Sequence, residues 1–194
     1  MALRLDDREL TYAEVEHLAA RFGGVLSELG ARPEERVMIA LPDGPEWVGA
    51  FFGVLKIGAV VVMVNPGLKP AALAALFDYV EPAWVVVDAS VGEAFAEARA
   101  AASHRPRLVS VGGPAEGSSA YEDVAAAVAD ELPALERHRD DAAIWLFSGG
   151  TTGLPKGVVQ THASFVNTTE LYAKGALGYH GDDVTLSISK LYFG

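Results

Sequence analysis

The sequence predicts an α/β fold: an open, doubly wound, mostly parallel sheet with helices on both faces. Two observations carry this. Short apolar runs, "RVMIAL" (Arg36–Leu41), "AVVVMVN" (Ala59–Asn65) and "AWVVVD" (Ala83–Asp88), lack the polar alternation of a half-solvated strand, as strands buried on both faces do. Segments of helical period lie between them, and a strand–helix–strand series builds a parallel sheet through crossover connections.

The elements follow in order. In "LTYAEVEHLAARFGGVLSELG", Thr11 and Glu14 stand at capping-box spacing, with Leu10 and Val15 placed as a hydrophobic staple. Val15, Leu18, Phe22, Val25 and Leu29 recur on one helical face, and Gly30 suits a C-terminal cap. After Arg36–Leu41, "PDGPEWVGAFFGVLKIG" gives a turn and a helix ending at Gly58, with Trp47, Phe51 and Phe52 assigned to the core. "KPAALAALFDYV" is helical up to Glu81–Pro82, and a further helix is expected over Gly92–Ser103, then the strand "RLVSVG". "GGPAEGSS" (Gly112–Ser119) reads as a surface loop, and a helix around Tyr121–Leu132 leads into the charged "ERHRDD". There is no internal repeat and no heptad pattern.

Composition narrows the function classes. The 194 residues suffice for one sizeable core, or for one domain plus part of another. Lys+Arg 15 against Asp+Glu 26 gives a net charge of -11, a surface that repels nucleic acid and anionic lipid, so neither is an expected partner. With no cysteine, disulfides, thiolate metal sites and a cysteine nucleophile are excluded within these residues. The most membrane-like stretch, Ala50–Val64, is interrupted by Gly53, Lys56 and Gly58 and falls short of the roughly 20 residues a spanning helix needs. The opening "MALRLDDREL" has no apolar core of signal-peptide length, so the expected location is cytoplasmic.

The chemistry-bearing stretch is "SGGTTGLPKG" (Ser148–Gly157), between "AAIWLF" and "VVQTH". It is not a Walker A loop: Pro155 precedes the lysine, Gly157 takes the place of the magnesium-binding hydroxyl, and a strand-like run follows instead of a helix. Gly149, Gly150 and Gly153 nevertheless let successive N–H groups turn toward an anion. Ser148, Thr151 and Thr152 add hydroxyls, and Lys156 adds a point charge. A glycine-rich strand connection with a solvated lysine would carry the same residues.

The whole ten-residue pattern closely resembles the phosphate-binding signature of the adenylate-forming superfamily of acyl-CoA synthetases, luciferases and peptide-synthetase adenylation domains, with Gly149 in a slot more often serine. "LTYAEV" (Leu10–Val15) and "LKIGAVVVMVNP" (Leu55–Pro66) resemble two further core motifs of that superfamily, in order and spacing, with Ile57 where alanine is usual. Trp145, "THASFVNTTELYAKGALGYHGDDV" and the final "SKLYFG" resemble the aryl-CoA ligase branch of benzoate type.

The resemblance implies activation of a carboxylic acid, aromatic and benzoate-like, by ATP with Mg2+, followed by transfer to coenzyme A. It implies Lys156, Thr151 and Thr152 as catalytic residues. The implied nucleotide contacts are Ser148, Gly149, Gly150, Thr151, Thr152, Gly153, Lys156 and His162. It implies Tyr192, Phe193 and Gly194 as lining for the acid, with glycine where alanine is common. "KLYF" also reads as a strand end with core aromatics, and Thr161 as the N-cap of a helix starting at His162. The other histidines, His17, His104, His138 and His180, lack ligand spacing and are expected at the surface. Asp182–Asp183 reads as a turn before "VTLSIS", so no metal ligand is assigned. The superfamily's magnesium-holding glutamate motif, ribose-binding aspartate and C-terminal lysine have no counterpart among the 194 residues. Residues 1–194 are therefore expected to form a partial N-terminal adenylation domain. Alone, that portion would be non-catalytic or would work with a second chain, and its uncovered sheet edges favour self-association.

Overall fold

A computed structural model describes residues 1–5, 8–148 and 156–193. Two short strands, β1 (Leu3–Leu5) and β2 (Arg8–Leu10), pair antiparallel and deliver the chain to helix α1 (Tyr12–Glu28). The capping box forms: the Thr11 N–H donates to Glu14 Oε2 at 2.7 Å, and the Glu14 N–H to Thr11 Oγ1 at 3.2 Å. At the other end Gly30 takes φ 95°, its N–H reaching the Ser27 carbonyl while the Ala31 N–H reaches that of Leu26. These are the two bonds of a Schellman stop. Helix α2 (Pro45–Lys56) ends the same way, with Gly58 at φ 72°, an angle that only a residue without Cβ adopts cheaply.

The remaining elements are β3 (Arg36–Ala40), β4 (Val60–Met63), α3 (Pro70–Val80), β5 (Trp84–Asp88), α4 (Gly92–Ala101), β6 (Arg107–Val111), β7 (Ser118–Ala120), α5 (Tyr121–Ala125), β8 (Ala142–Ser148), β9 (Lys156–Thr161) and α6 (His162–Asn167). Among the described residues seven strands form one sheet in the order β7-β6-β5-β3-β4-β8-β9. All neighbours are parallel except β9, which runs antiparallel to β8. The expected fold class is therefore the observed one.

Strand side chains alternate between two cores. Val37, Ile39, Val61, Met63, Trp84 and Val86 pack under α1, α2 and α5. Met38, Ala40, Val62, Val85 and Val87 pack with Phe77 of α3 and Phe95 of α4 on the other face. Both faces are dry, hence the unbroken apolar runs in the sequence. α1 and α2 meet backbone to backbone: a Cβ on Gly53 would lie 2.7 Å from the Gly23 nitrogen and 2.8 Å from the Ala19 oxygen. On the other face Arg36 reaches the end of α3, its Nε donating to the Val80 carbonyl at 2.5 Å and Nη2 to that of Glu81 at 3.1 Å.

Four sequence expectations change. The end of the 112–119 loop joins the sheet, since Ser118–Ala120 pairs parallel with β6. The helix expected to Leu132 stops at Ala125, because Val128 and Leu132 drop into the notches left by Gly24 and Gly23 on α1. Trp47 and Phe51 are core, but Phe52 lies on the outer face of α2, 45% exposed. His104 is half-buried, with Nε2 2.7 Å from the Pro82 carbonyl and its N–H bonded to Asp78 Oδ1. Among the described residues no helix is long and apolar enough to cross a membrane.

Candidate functional site at the β8–β9 mouth

β8 extends the parallel sheet beside β4, with Val61 opposite Ile144 and Val62 opposite Trp145. Ser148 therefore emerges at the carboxyl end of the parallel strands, the edge where open α/β sheets hold ligands. β9 turns back along β8 with Ser148 opposite Lys156, Phe147 opposite Gly157 and Trp145 opposite Val159. The pairing clamps both ends of the glycine-rich stretch across from one another. Gly149, Gly150, Thr151, Thr152, Gly153 and Pro155 fall outside the described residues. Ser148 and Lys156 are exposed, and Lys156 has no carboxylate partner among the described residues. An unneutralised cation beside a hydroxyl at this edge is suited to an anionic ligand.

The base of this pair is held from both sides. Trp145 points to the α3 face, where the Arg36 guanidinium carbon lies 5.6 Å from its ring centroid. Tyr79, Trp145 and Phe147 surround Gly157 at ordinary contact distance for a Cβ.

The C-terminal segment returns to the same edge. Asp43, just past β3, accepts the Leu191 N–H on Oδ1 at 3.0 Å, and its Oδ2 lies 3.3 Å from Lys190 Nζ. Nothing local in the sequence announces this contact, since 148 residues separate Asp43 and Leu191. It brings Phe193 to a cleft of ≈ 360 Å³ walled by Trp47, Phe51, Met63, Ile144, Leu146 and Phe165. Trp47 and Phe51 stack there at 5.2 Å between centroids, so the cleft suits a flat apolar ring. Gln160, Ser164 and Thr168 supply its polar atoms. Tyr192 packs instead against the core under α2, and Gly194 lies outside the described residues.

His162 is not brought to Lys156. Lys156 opens β9, and His162 follows its last residue, Thr161, which lies five strand steps or roughly 16 Å from Lys156 and opposite Ala142 at the far end. There the Thr161 N–H donates to Ser164 Oγ at 3.2 Å, and His162 opens α6. His162 lines a separate, larger cleft of ≈ 800 Å³ beside α1 and α2. That cleft's cations are already paired, Lys56 with Glu16 at 2.5 Å and Arg137 with Glu34 at 2.7 Å; hydrogen bonding to Glu34 raises the Arg137 pKa. The smaller cleft and the β8–β9 mouth are thus the better site. Among the described residues no three His, Asp or Glu side chains converge as a metal site.

The family model described as AMP-binding enzyme matches residues 1–194. The chain is 30% identical over 187 residues to 3-hydroxybenzoate–CoA ligase of Aromatoleum sp. (strain CIB), covering 96% of this chain and 36% of that protein. It is 32% identical over 189 residues to benzoate–CoA ligase of Thauera aromatica, covering 97% and 36%. Among solved structures, the anthranilate CoA ligase AuaEII in complex with anthranoyl-AMP superposes with a TM-score of 0.90 at 32% identity, over 97% of this chain and 36% of that one. The chain thus spans about a third of the length of the relatives it matches.

Proposed function

The chain belongs to the AMP-binding enzyme family, and on that premise we propose that it carries the phosphate-gripping part of an ATP-dependent acid–thiol ligase. In this reading a carboxylate oxygen attacks the α-phosphorus of ATP and the bond to the β-phosphate breaks. Pyrophosphate leaves; the thiol of coenzyme A then attacks the acyl carbon of the acyl-adenylate, forming the thioester as the bond to the phosphate oxygen breaks and AMP leaves. The acid is aromatic and benzoate-like. The named activities of the benzoate and hydroxybenzoate relatives and the stacked Trp47–Phe51 wall beside Phe193 support that choice.

The observation that carries the proposal is the Ser148–Lys156 pairing at the carboxyl edge of the sheet. Charge accumulates on the β- and γ-phosphates as they depart. In this reading Lys156, the hydroxyls of Ser148, Thr151 and Thr152, and the N–H groups of Gly149, Gly150 and Gly153 stabilise that charge electrostatically.

The 36% coverage of the relatives favours a second reading: a module that binds the nucleotide but leaves turnover to residues supplied elsewhere. One experiment separates the two. The chain is incubated with ATP, benzoate and hydroxylamine, while ATP binding is followed by calorimetry. Benzoyl hydroxamate supports the ligase reading, and ATP binding without hydroxamate supports the module. Failure to bind ATP at all overturns both.

A further inference from the structure

β9 leaves the glycine-rich stretch through Lys156 and Gly157, and successive strand residues point to opposite faces of a sheet. Gly157 stands opposite Phe147, which packs with the α3-face core, so it lies on that face. Lys156 stands opposite Ser148 and takes the α2 face, on which Ile144 and Leu146 wall the smaller cleft. Whatever seats Gly157 therefore sets where the lysine points. A Cβ at Gly157 would lie 3.5 Å from Trp145 Cε3, 3.7 Å from Phe147 Cε1 and 3.7 Å from the Tyr79 hydroxyl oxygen. Trp145 and Phe147 come from the adjacent strand β8, but Tyr79 comes from α3, and no strand pairing requires it there.

We propose that Tyr79 is a positioning residue for the phosphate grip: with Trp145 and Phe147 it seats Gly157, and so holds Lys156 toward the cleft face. This role rests on the reading of Lys156 as a ligand of the β- and γ-phosphates. Tyr79 packs on the face opposite the lysine, so it acts through the backbone of β9 and not on phosphate. It is itself anchored. The carbonyl of the next residue, Val80, accepts from Arg36 Nε, and the Arg36 guanidinium carbon lies 5.6 Å from the Trp145 ring centroid. One cation thus fixes both the last turn of α3 and the indole around Gly157. A group that must meet charge at a fixed point tolerates little error, and a misplacement of about 1 Å can cost up to about 10²-fold in rate.

The buried residues of α3 are Leu73, Leu76, Phe77 and Val80, so Tyr79→Ala leaves the core intact and the thermal midpoint little changed. Calorimetry with ATP and with AMP separates positioning from structure, because AMP lacks the two phosphates assigned to Lys156. Tyr79→Ala is expected to bind ATP roughly tenfold more weakly and AMP unchanged. Tyr79→Phe, which loses only the oxygen nearest Gly157, falls between, and it carries the same comparison should Tyr79→Ala unfold. In a Lys156→Ala background Tyr79→Ala has no further effect on ATP, since both substitutions then remove one interaction. Equal losses for ATP and AMP overturn the proposal. So do losses that add in the double variant, or an ATP affinity lowered by Lys156→Ala but untouched at Tyr79. A different outcome, in which Lys156→Ala leaves ATP affinity unchanged or the unsubstituted chain binds ATP no better than AMP, overturns the reading of Lys156 and the role of Tyr79 with it.

Discussion

Arg36 and Trp145 meet across the sheet, the guanidinium carbon 5.6 Å from the ring centroid, while the same guanidinium caps the Val80 and Glu81 carbonyls. One cation thus ties the first residue of β3, the end of α3 and the middle of β8. Favourable placement of positive charge at a helix C-terminus adds to the two hydrogen bonds. Arg36→Ala is expected to cost about 1–2 kcal/mol, the range for charged donors discounted for partial exposure. Arg36→Lys recovers part of it, lacking the two-pronged donor. Urea unfolding followed by tryptophan fluorescence measures both; a midpoint unchanged in Arg36→Ala contradicts the cap.

Gly53→Ala forces a methyl group to within 2.7–2.8 Å of the Gly23 nitrogen, the Ala19 oxygen and Phe22 Cβ. Two of these neighbours are backbone and cannot swing aside, so the helices must separate. The expected loss is about 1–3 kcal/mol or more, as for other overpacked cores. Gly181→Ala, where a Cβ meets no atom within 4 Å, serves as the neutral control in the same denaturation series.

Lys156→Ala removes an exposed side chain and leaves the fold unchanged, with an unaltered thermal midpoint. In a form of the protein competent for adenylation it lowers ATP–pyrophosphate exchange about 10²–10³-fold, the usual effect of losing one preorganised contributor. Undiminished exchange contradicts the assignment of the phosphate grip.

The Thr11 N–H, and after it the Thr11 hydroxyl, hold the Glu14 carboxyl below the ordinary carboxylate pKa. A depressed folded-state pKa means that the contribution is present above the unfolded value and is lost as pH falls through the folded one. Acid is therefore expected to fray the start of α1 first. The pH titration of the Glu14 side chain by NMR should show the lowered midpoint, and Thr11→Ala, which removes the hydroxyl but keeps the N–H, should return it part of the way. Identical titrations in the two proteins contradict the capping contribution.

What could be read in the sequence was local or periodic. The alternating elements, the Thr11–Glu14 box, the stops at Gly30 and Gly58 and the strand–loop–strand setting of Ser148–Lys156 all depend on neighbours within a few residues. Other positions depend on tertiary packing, or on which face an element presents, and are not read from local pattern alone. Tyr121–Leu132 has helical residues throughout, yet Val128 and Leu132 gain more by filling the Gly23–Gly24 notches of a distant helix. Phe52 has the hydrophobicity of its neighbours but falls on the turn of α2 that faces outward. His162 follows the motif closely in number, and the extended rise of β9 carries it to the opposite edge. Tyr192 and Phe193 are adjacent, their rings 5.7 Å apart between centroids, the first packed against the core and the second at the cleft.

The Asp43–Leu191 contact also has a kinetic consequence. Its 148-residue separation is among the longest loops the chain closes, and loop closure costs entropy before any contact repays it. β3 to β6 can assemble through short crossovers, but the 190–193 segment can dock only after β3 and α2 have fixed Asp43 and β8 and β9 have completed the cleft wall. The segment is accordingly expected to be among the later parts of the chain to reach its native place. The wall that Phe193 adds to the cleft then depends on a tie made after the sheet itself.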